Sequence, residues 1–267
     1  MSHEKHLLVF GLGYTARRIA AALSERGWRV DATGSAGNLD FDDQNAVGAA
    51  VDSASHILSS VPPDRASGSD PVLERYGDTL NRRWLGYLSS TGVYGDAGGG
   101  WVDESTPTVA QTGAGRRNAR AEADAAWLDL GACNFRLPGI YGPTRSALDR
   151  VRNGKARRID MPEQVFSRVH VDDIVSGVVA AIERDAPRGA YNLSDDLPAS
   201  GNAVTEEACR LIGIEPPPLE TLEQAKLSEM ARGFYAENRR VANGKAKRML
   251  GWEPAYPTFK EGLASLL

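Results

Sequence analysis

The chain has 267 residues, of which 42% are apolar and 25% charged, with a formal net charge of −4. That composition belongs to a globular chain with a substantial core, and the acidic balance argues against nucleic acid or an anionic membrane as a main partner. Four scattered histidines and two isolated cysteines, Cys133 and Cys209, predict neither a metal site nor a disulfide framework, which points to the cytoplasm.

In chain order, Met1 to His6 is polar and predicts no secretory leader, and no run approaches the ~20 apolar residues of a membrane span. The first predicted strand, near 6–11, runs into Gly11-Leu12-Gly13-Tyr14-Thr15-Ala16 and then a helical pattern near 14–26. Strand, glycine turn and helix in that order are what a dinucleotide site needs. Gly11 permits the tight turn, Gly13 lets the backbone approach a pyrophosphate, and Ala16 lets the helix pack closely. The helix start adds unpaired N–H groups and a partial positive charge. The alternative is a plain glycine turn in an α/β sheet.

Further strands near 28–33, 56–61, 84–90 and 133–137 alternate with helices near 43–52, 71–82 and 116–130. This alternation predicts a Rossmann-like, doubly wound parallel sheet. The second strand ends at Gly34 and Ser35, and Asp31 lies too early in it to reach a ribose. With no carboxylate there to repel a 2′-phosphate, NADP is favoured over NAD, with Ser35 or Arg17 as its phosphate contact. Beyond about residue 140 the pattern is irregular, with strands near 165–171 and 189–193 and helices near 172–184, 202–212, 221–232 and 256–266. We expect one unit over 1–267, with a small C-terminal α/β substrate lobe drawn mainly from about 140–165 and 190–255. The basic stretch from Arg150 to Arg158 reads as solvated surface, and favours an anionic substrate if it faces the crevice. Phe234 and Tyr235 read as aromatic anchors at a helix end, the alternative being a cover over the cleft.

Several motifs stand in a telling order: Ser89-Ser90-Thr91-Gly92-Val93-Tyr94-Gly95, Arg136-Leu137-Pro138-Gly139-Ile140-Tyr141-Gly142-Pro143, His170-Val171-Asp172-Asp173, Tyr191-Asn192-Leu193, and Lys245-Ala246-Lys247 followed by Leu250-Gly251-Trp252. Over essentially its whole length the chain resembles the extended short-chain dehydrogenase/reductase superfamily, the NAD-dependent epimerase/dehydratase group. The resemblance implies a bound NADP or NAD. It places Ser90 where the family's catalytic Ser or Thr hydrogen-bonds the substrate oxygen. It also places Ser59, Ser60 and Val61 along the cofactor's phosphate and ribose, and Pro138, Gly139 and Ile140 beside its nicotinamide. Asp40 matches an aspartate near the adenine, or belongs to a helix N-cap region with Asp42 and Asp43. His170 reads as a structural residue of a turn that Asp172 or Asp173 caps.

One departure matters. The family's proton donor is a Tyr-x-x-x-Lys pair, and at that spacing this chain has Arg116 and Arg120. Arginine stays charged and cannot act as a general acid at pH 7. The two arginines grip a carboxylate or phosphate of the ligand, or they are solvated helix charges; Tyr94 is a stand-in acid. The arginine with which nucleotide-sugar members grip pyrophosphate is replaced by Phe166, and a second such arginine survives as Arg232. The expected activity is an oxidoreductase or epimerase acting on a small substrate, anionic if the basic stretch faces the crevice. The alternatives are a non-catalytic NAD(P)-binding sensor or regulatory protein, and a scaffold whose turn binds no nucleotide. Dimerisation through a helix pair is common in the superfamily, so a homodimer is a further expectation.

Overall fold

The run from His6 to Phe10 is buried along its whole length, as a strand covered on both faces must be. In the computed structural model, which describes residues 5–64, 66–80, 83–112 and 118–267, this strand is β1 (His6–Phe10). There follow α1 (Tyr14–Ser24), β2 (Arg29–Ala32), α2 (Gln44–Ser53), β3 (His56–Ser59), α3 (Pro71–Tyr76), β4 (Trp84–Ser90), β5 (Trp101–Val102), α4 (Val109–Thr112), α5 (Ala119–Asp129) and β6 (Cys133–Leu137). Next come β7 (Gly139–Tyr141), α6 (Ala147–Arg152), β8 (Arg158–Ile159), β9 (Arg168–His170), α7 (Val171–Glu183) and β10 (Gly189–Asn192). The chain continues through α8 (Gly201–Ile212), β11 (Leu219–Glu220), α9 (Glu229–Tyr235), β12 (Arg240–Val241), α10 (Gly244–Leu250) and α11 (Phe259–Ala264).

Six parallel strands form the central sheet in the order β10-β6-β4-β3-β1-β2. The expected parallel sheet is therefore present. Side chains of β1 alternate between its two faces. Leu7 and Val9 join Ile19, Leu23, Ile174 and Val178 beneath α1 and α7. Leu8 and Phe10 join Val47, Val51, Ile57 and Trp127 on the other face. A third apolar cluster, with Leu148, Val151, Val204, Phe259 and Leu263, ties α6, α8 and α11 together beside the sheet. It reaches past residue 255, because α11 folds back onto α8. The strand order reverses at β1, with β2 on one side and β3 on the other, which opens a crevice at the C-terminal ends of β1 and β3.

Two expected helices are shorter than their patterns. The third ends at Tyr76 and continues only as a 3-10 turn over Gly77–Thr79. The pattern near 221–232 begins as a turn in which Thr221 and Gln224 hydrogen-bond each other's backbone, and Lys226 at φ 45° breaks it before α9 starts.

Asp70 shows how one polar residue fixes two elements. It is buried, caps α3 by accepting from the N–H groups of Val72 (2.9 Å) and Leu73 (3.1 Å), and accepts the indole N–H of Trp127 on α5 at 2.8 Å. Asp70→Ala removes the cap and orphans a buried donor, so a loss of about 2–4 kcal/mol is expected in urea unfolding, with the slope unchanged.

Candidate active site

The turn after β1 is built around two glycines with different constraints. Gly11 has φ +83°, and a Cβ there would lie 2.9 Å from the Val61 side chain, so neither the dihedral nor the space admits another residue. Gly13 is the N-cap of α1, with no side-chain cap and no acidic residue in the first turn. A Cβ on Gly13 would meet nothing within 4 Å. The backbone therefore faces open space, and Gly13, Tyr14, Thr15 and Ala16 line a cavity of about 720 Å³. Unpaired N–H groups at a helix start, aimed at a void, fit an anionic pyrophosphate.

Ser60, Pro138, Gly139 and Ile140 line the same cavity, and the Ser60 hydroxyl donates to the Gly11 carbonyl at 2.5 Å. Ser59, Val61, Asp40 and Ser35 are not among the residues that line this cavity. Ser59 is fully buried, Val61 packs against Gly11, and the Asp40 carboxylate accepts the Asp42 N–H at 3.0 Å on an exposed turn. Ser35 is exposed in the tight turn Gly34–Gly37, outside the cavity. Gly34 is needed there, since at φ +102° a Cβ would lie 3.2 Å from the Leu12 nitrogen. Asp31 is occupied structurally. It accepts from His6 (2.8 Å), Arg29 (2.9 Å) and Asn38 (2.7 Å). Burial pushes its carboxyl up, but those partners hold it below its ordinary value.

Ser90 ends β4 at the cavity wall, its Oγ accepting the Gly92 N–H at 3.1 Å. Tyr94, expected as a stand-in acid, does not reach the cavity. It is buried, its hydroxyl donates to Asn192 Oδ1 at 2.9 Å and accepts from Arg136 at 3.0 Å, and burial raises its pKa. Its proton is committed to the fold. The guanidinium of Arg136 forks onto Asp124 of α5 (2.6 Å from Nη2), and Ser89 donates to the same carboxylate at 2.5 Å. This network was legible only as an anomaly, a charged residue inside the buried strand β6. Arg116 lies outside the described residues. Arg120, in the first turn of α5, lines the cavity beside Ser90, while the Asn118 cap ties that turn to the Gly92 carbonyl at 3.0 Å.

The charged residues of the remaining walls are cations but for one. Arg145, Arg150 and Arg168 line the cavity with Arg120, and an adjoining cavity of about 680 Å³ adds Lys155, Arg157 and Arg239 against one carboxylate, Glu237. The Arg150 end of the basic stretch thus faces the crevice, whereas Arg158 turns away to Glu206 and the Pro217 carbonyl. Sequence patterning gave no signal for Arg145 or Arg239, and Arg168 stands two places after Phe166. Arg232 is exposed and lines neither cavity, and Phe234 is 67% exposed over the cleft instead of anchoring a core. His170 itself caps α7, accepting the Asp172 N–H at 3.3 Å, and burial lowers its pKa. Asp173 instead accepts the N–H groups of Ala255 and Tyr256. Among the described residues there is no metal-binding cluster and no helix long and apolar enough to cross a membrane.

The chain is 38% identical to a conserved protein of unknown function from Silicibacter pomeroyi DSS, covering 98% of both chains with a TM-score of 0.85. The two chains belong to one family. Its fold is that of the extended short-chain dehydrogenases, the NAD-dependent epimerase/dehydratase group. The human epimerase family protein SDR39U1, solved with NADPH, superimposes over 98% of both chains with a TM-score of 0.76 at 15% identity. The dTDP-glucose 4,6-dehydratase of Bacillus anthracis str. Ames, solved with NAD, does so over 98% of this chain and 94% of its own, with a TM-score of 0.74 at 17% identity. A 3-diazoavenalumate denitrifying reductase from a Streptomyces species is 34% identical over 61% of this chain, a match spanning 55% of that protein. No protein-family model matches.

Asp195 lies buried behind Arg168 at 2% exposure, and burial pushes its carboxyl up to about 7 against the pull of that arginine. A raised carboxyl binds its proton more tightly in the folded chain than in the unfolded one. Stability therefore falls as pH rises from the ordinary carboxyl range to about 7, and levels off above it. Asp173, pushed up to about 6, acts with the same sign. Asp195→Asn carries no charge at any pH and is expected to flatten that slope by on the order of a few kcal/mol between about pH 5 and pH 8, read from urea midpoints.

Proposed function

We propose that this chain is an NADP- or NAD-dependent oxidoreductase or epimerase acting on a small anionic substrate. The observation that carries the reading is the cleft itself, which runs from the uncapped α1 start at Gly13 to Ser90 and is lined there by unreactive cations. In this reading, N–H groups of the first α1 turn hold the pyrophosphate, Ser60 lies beside the ribose, and Pro138 to Ile140 flank the nicotinamide. The nicotinamide supplies hydride chemistry when bound. Ser90 donates a hydrogen bond to the substrate oxygen, and the cations of the cleft hold the anionic end. With Tyr94 sequestered, the proton comes from water or from the substrate. The preference for NADP is supported by the β2 end, where Gly34, Ser35 and Ala36 are exposed and carry no carboxylate. A cytoplasmic setting is supported by two buried, unpaired thiols, Cys133 and Cys209. A sensor that binds NAD(P) without turnover is the second reading, favoured by arginine at position 120.

Calorimetric titration with NADPH and NADH tests the first step. One of them should bind, and Gly13→Val should abolish that binding, because the new side chain fills the space in front of the helix start. Unchanged affinity would remove the site from the turn. Ser35→Asp should weaken NADPH more than NADH, by about tenfold or more, through repulsion of the 2′-phosphate. Ser90→Ala should lower turnover by more than about tenfold while leaving coenzyme affinity intact. A Ser90→Ala chain that turns over at the original rate would make this hydroxyl structural.

A further inference from the structure

The two cavities share Ser90, Pro138, Gly139, Arg150, Arg168 and Phe234, and so form one cleft. The part away from the glycine turn has an aromatic wall of Phe166, Phe234 and Tyr235. Tyr235 meets Phe166 edge-on, with ring centroids 5.6 Å apart, and the Arg168 guanidinium covers the Phe166 ring at 5.7 Å. These contacts fix two of the rings. Phe234 is left open to the void, an exposed apolar surface at a concave site.

The cations around this void divide by whether they already have partners. Arg168 donates to the carbonyls of Phe166 and Ala199, both at 2.8 Å. Arg157 pairs with Glu220 at 2.9 Å, and Arg239 pairs with Glu237 and the Gly95 carbonyl, both at 2.5 Å. Arg150 and Lys155 make no such pair among the described residues, and both line the void. Open aromatic surface and unpaired positive charge occur together.

We propose that the cleft takes an aromatic carboxylate, its ring against Phe234 and Tyr235, its carboxylate on Arg150 and Lys155, and its reacting group towards Ser90. The proposal rests on the oxidoreductase reading for that last orientation. An aliphatic acid would leave the aromatic wall wet, and a neutral aromatic would leave two cations without a counter-charge. A void of about 680 Å³ has room for a molecule of one or two rings.

Titration of the full chain with cinnamate, cinnamamide, sorbate and UDP, with and without NADPH, tests this. Cinnamate is expected to bind, with the uncharged amide and the ring-free acid weaker by about tenfold or more. Arg150→Gln and Phe234→Ala should each weaken cinnamate about tenfold while NADPH affinity stays the same. The proposal is overturned if cinnamate does not bind, if amide or sorbate binds equally well, or if UDP binds more tightly. Cinnamate binding without affinity for either coenzyme would sink the oxidoreductase reading and leave the aromatic site standing. Coenzyme binding without cinnamate binding would do the reverse.

Discussion

The ion pair between Arg136 and Asp124 joins the middle of the sheet to the helix that flanks the cleft, and both side chains are almost wholly withdrawn from water. Burying either charge alone is prohibitive, and breaking such a pair costs about 3–5 kcal/mol, so α5 cannot leave β6 without unpaired charge in the core. The same carboxylate accepts from Ser89, and its backbone carbonyl accepts from Asn134 at 2.7 Å. Through Tyr94 and Asn192 the network reaches β10 and the Ala242 carbonyl. β4, β6, β10 and α5 are thereby joined through one ion pair, and Ser90 follows directly on Ser89, which Asp124 holds. The rigidity at the wall of the cleft comes from beneath it.

This arrangement also decides what Tyr94 can do. A phenol that donates to an amide oxygen and accepts from a guanidinium has both roles filled, and burial holds its proton on. The cleft has other means of binding an anion. Arg157, Arg168 and Arg239 are tethered to carbonyls or carboxylates, which holds their planes in place. Arg150 and Lys155 remain available to a ligand. Burial pulls Arg168 down to about 10, which still leaves it charged at neutral pH. The field in the crevice is thus positive although the chain as a whole carries a net charge of −4.

At the opposite end of the cleft, steric constraints replace electrostatic ones. Gly11 is required by its dihedral and by Val61, Gly34 by the close approach of Leu12, and Gly13 by nothing in the folded chain itself. The missing side chain at Gly13 leaves empty space beside an uncapped helix start, where the backbone N–H groups stay open to an anion.

Much of this was open to reading along the chain, because the signals are local. The apolar run of β1, the glycine spacing after it and the alternation of strands and helices each depend on neighbours a few residues away. The parallel sheet therefore followed from them. The order of residues also located Ser90 at the end of β4 and Pro138 to Ile140 after β6. Contacts between distant segments were another matter. That Arg136 would find Asp124, that Tyr94 would turn inward to Asn192 across 98 positions, and that Arg145, Arg150 and Arg168 would converge on one void are decisions of packing. No periodicity encodes them. The sequence by itself determined where the parallel strands and the glycine turn after β1 lie, since backbone sterics and side-chain alternation act at short range. Only the tertiary structure decided which charges are consumed by the fold and which are left for a ligand, since burial and pairing depend on segments that meet only when the chain has folded.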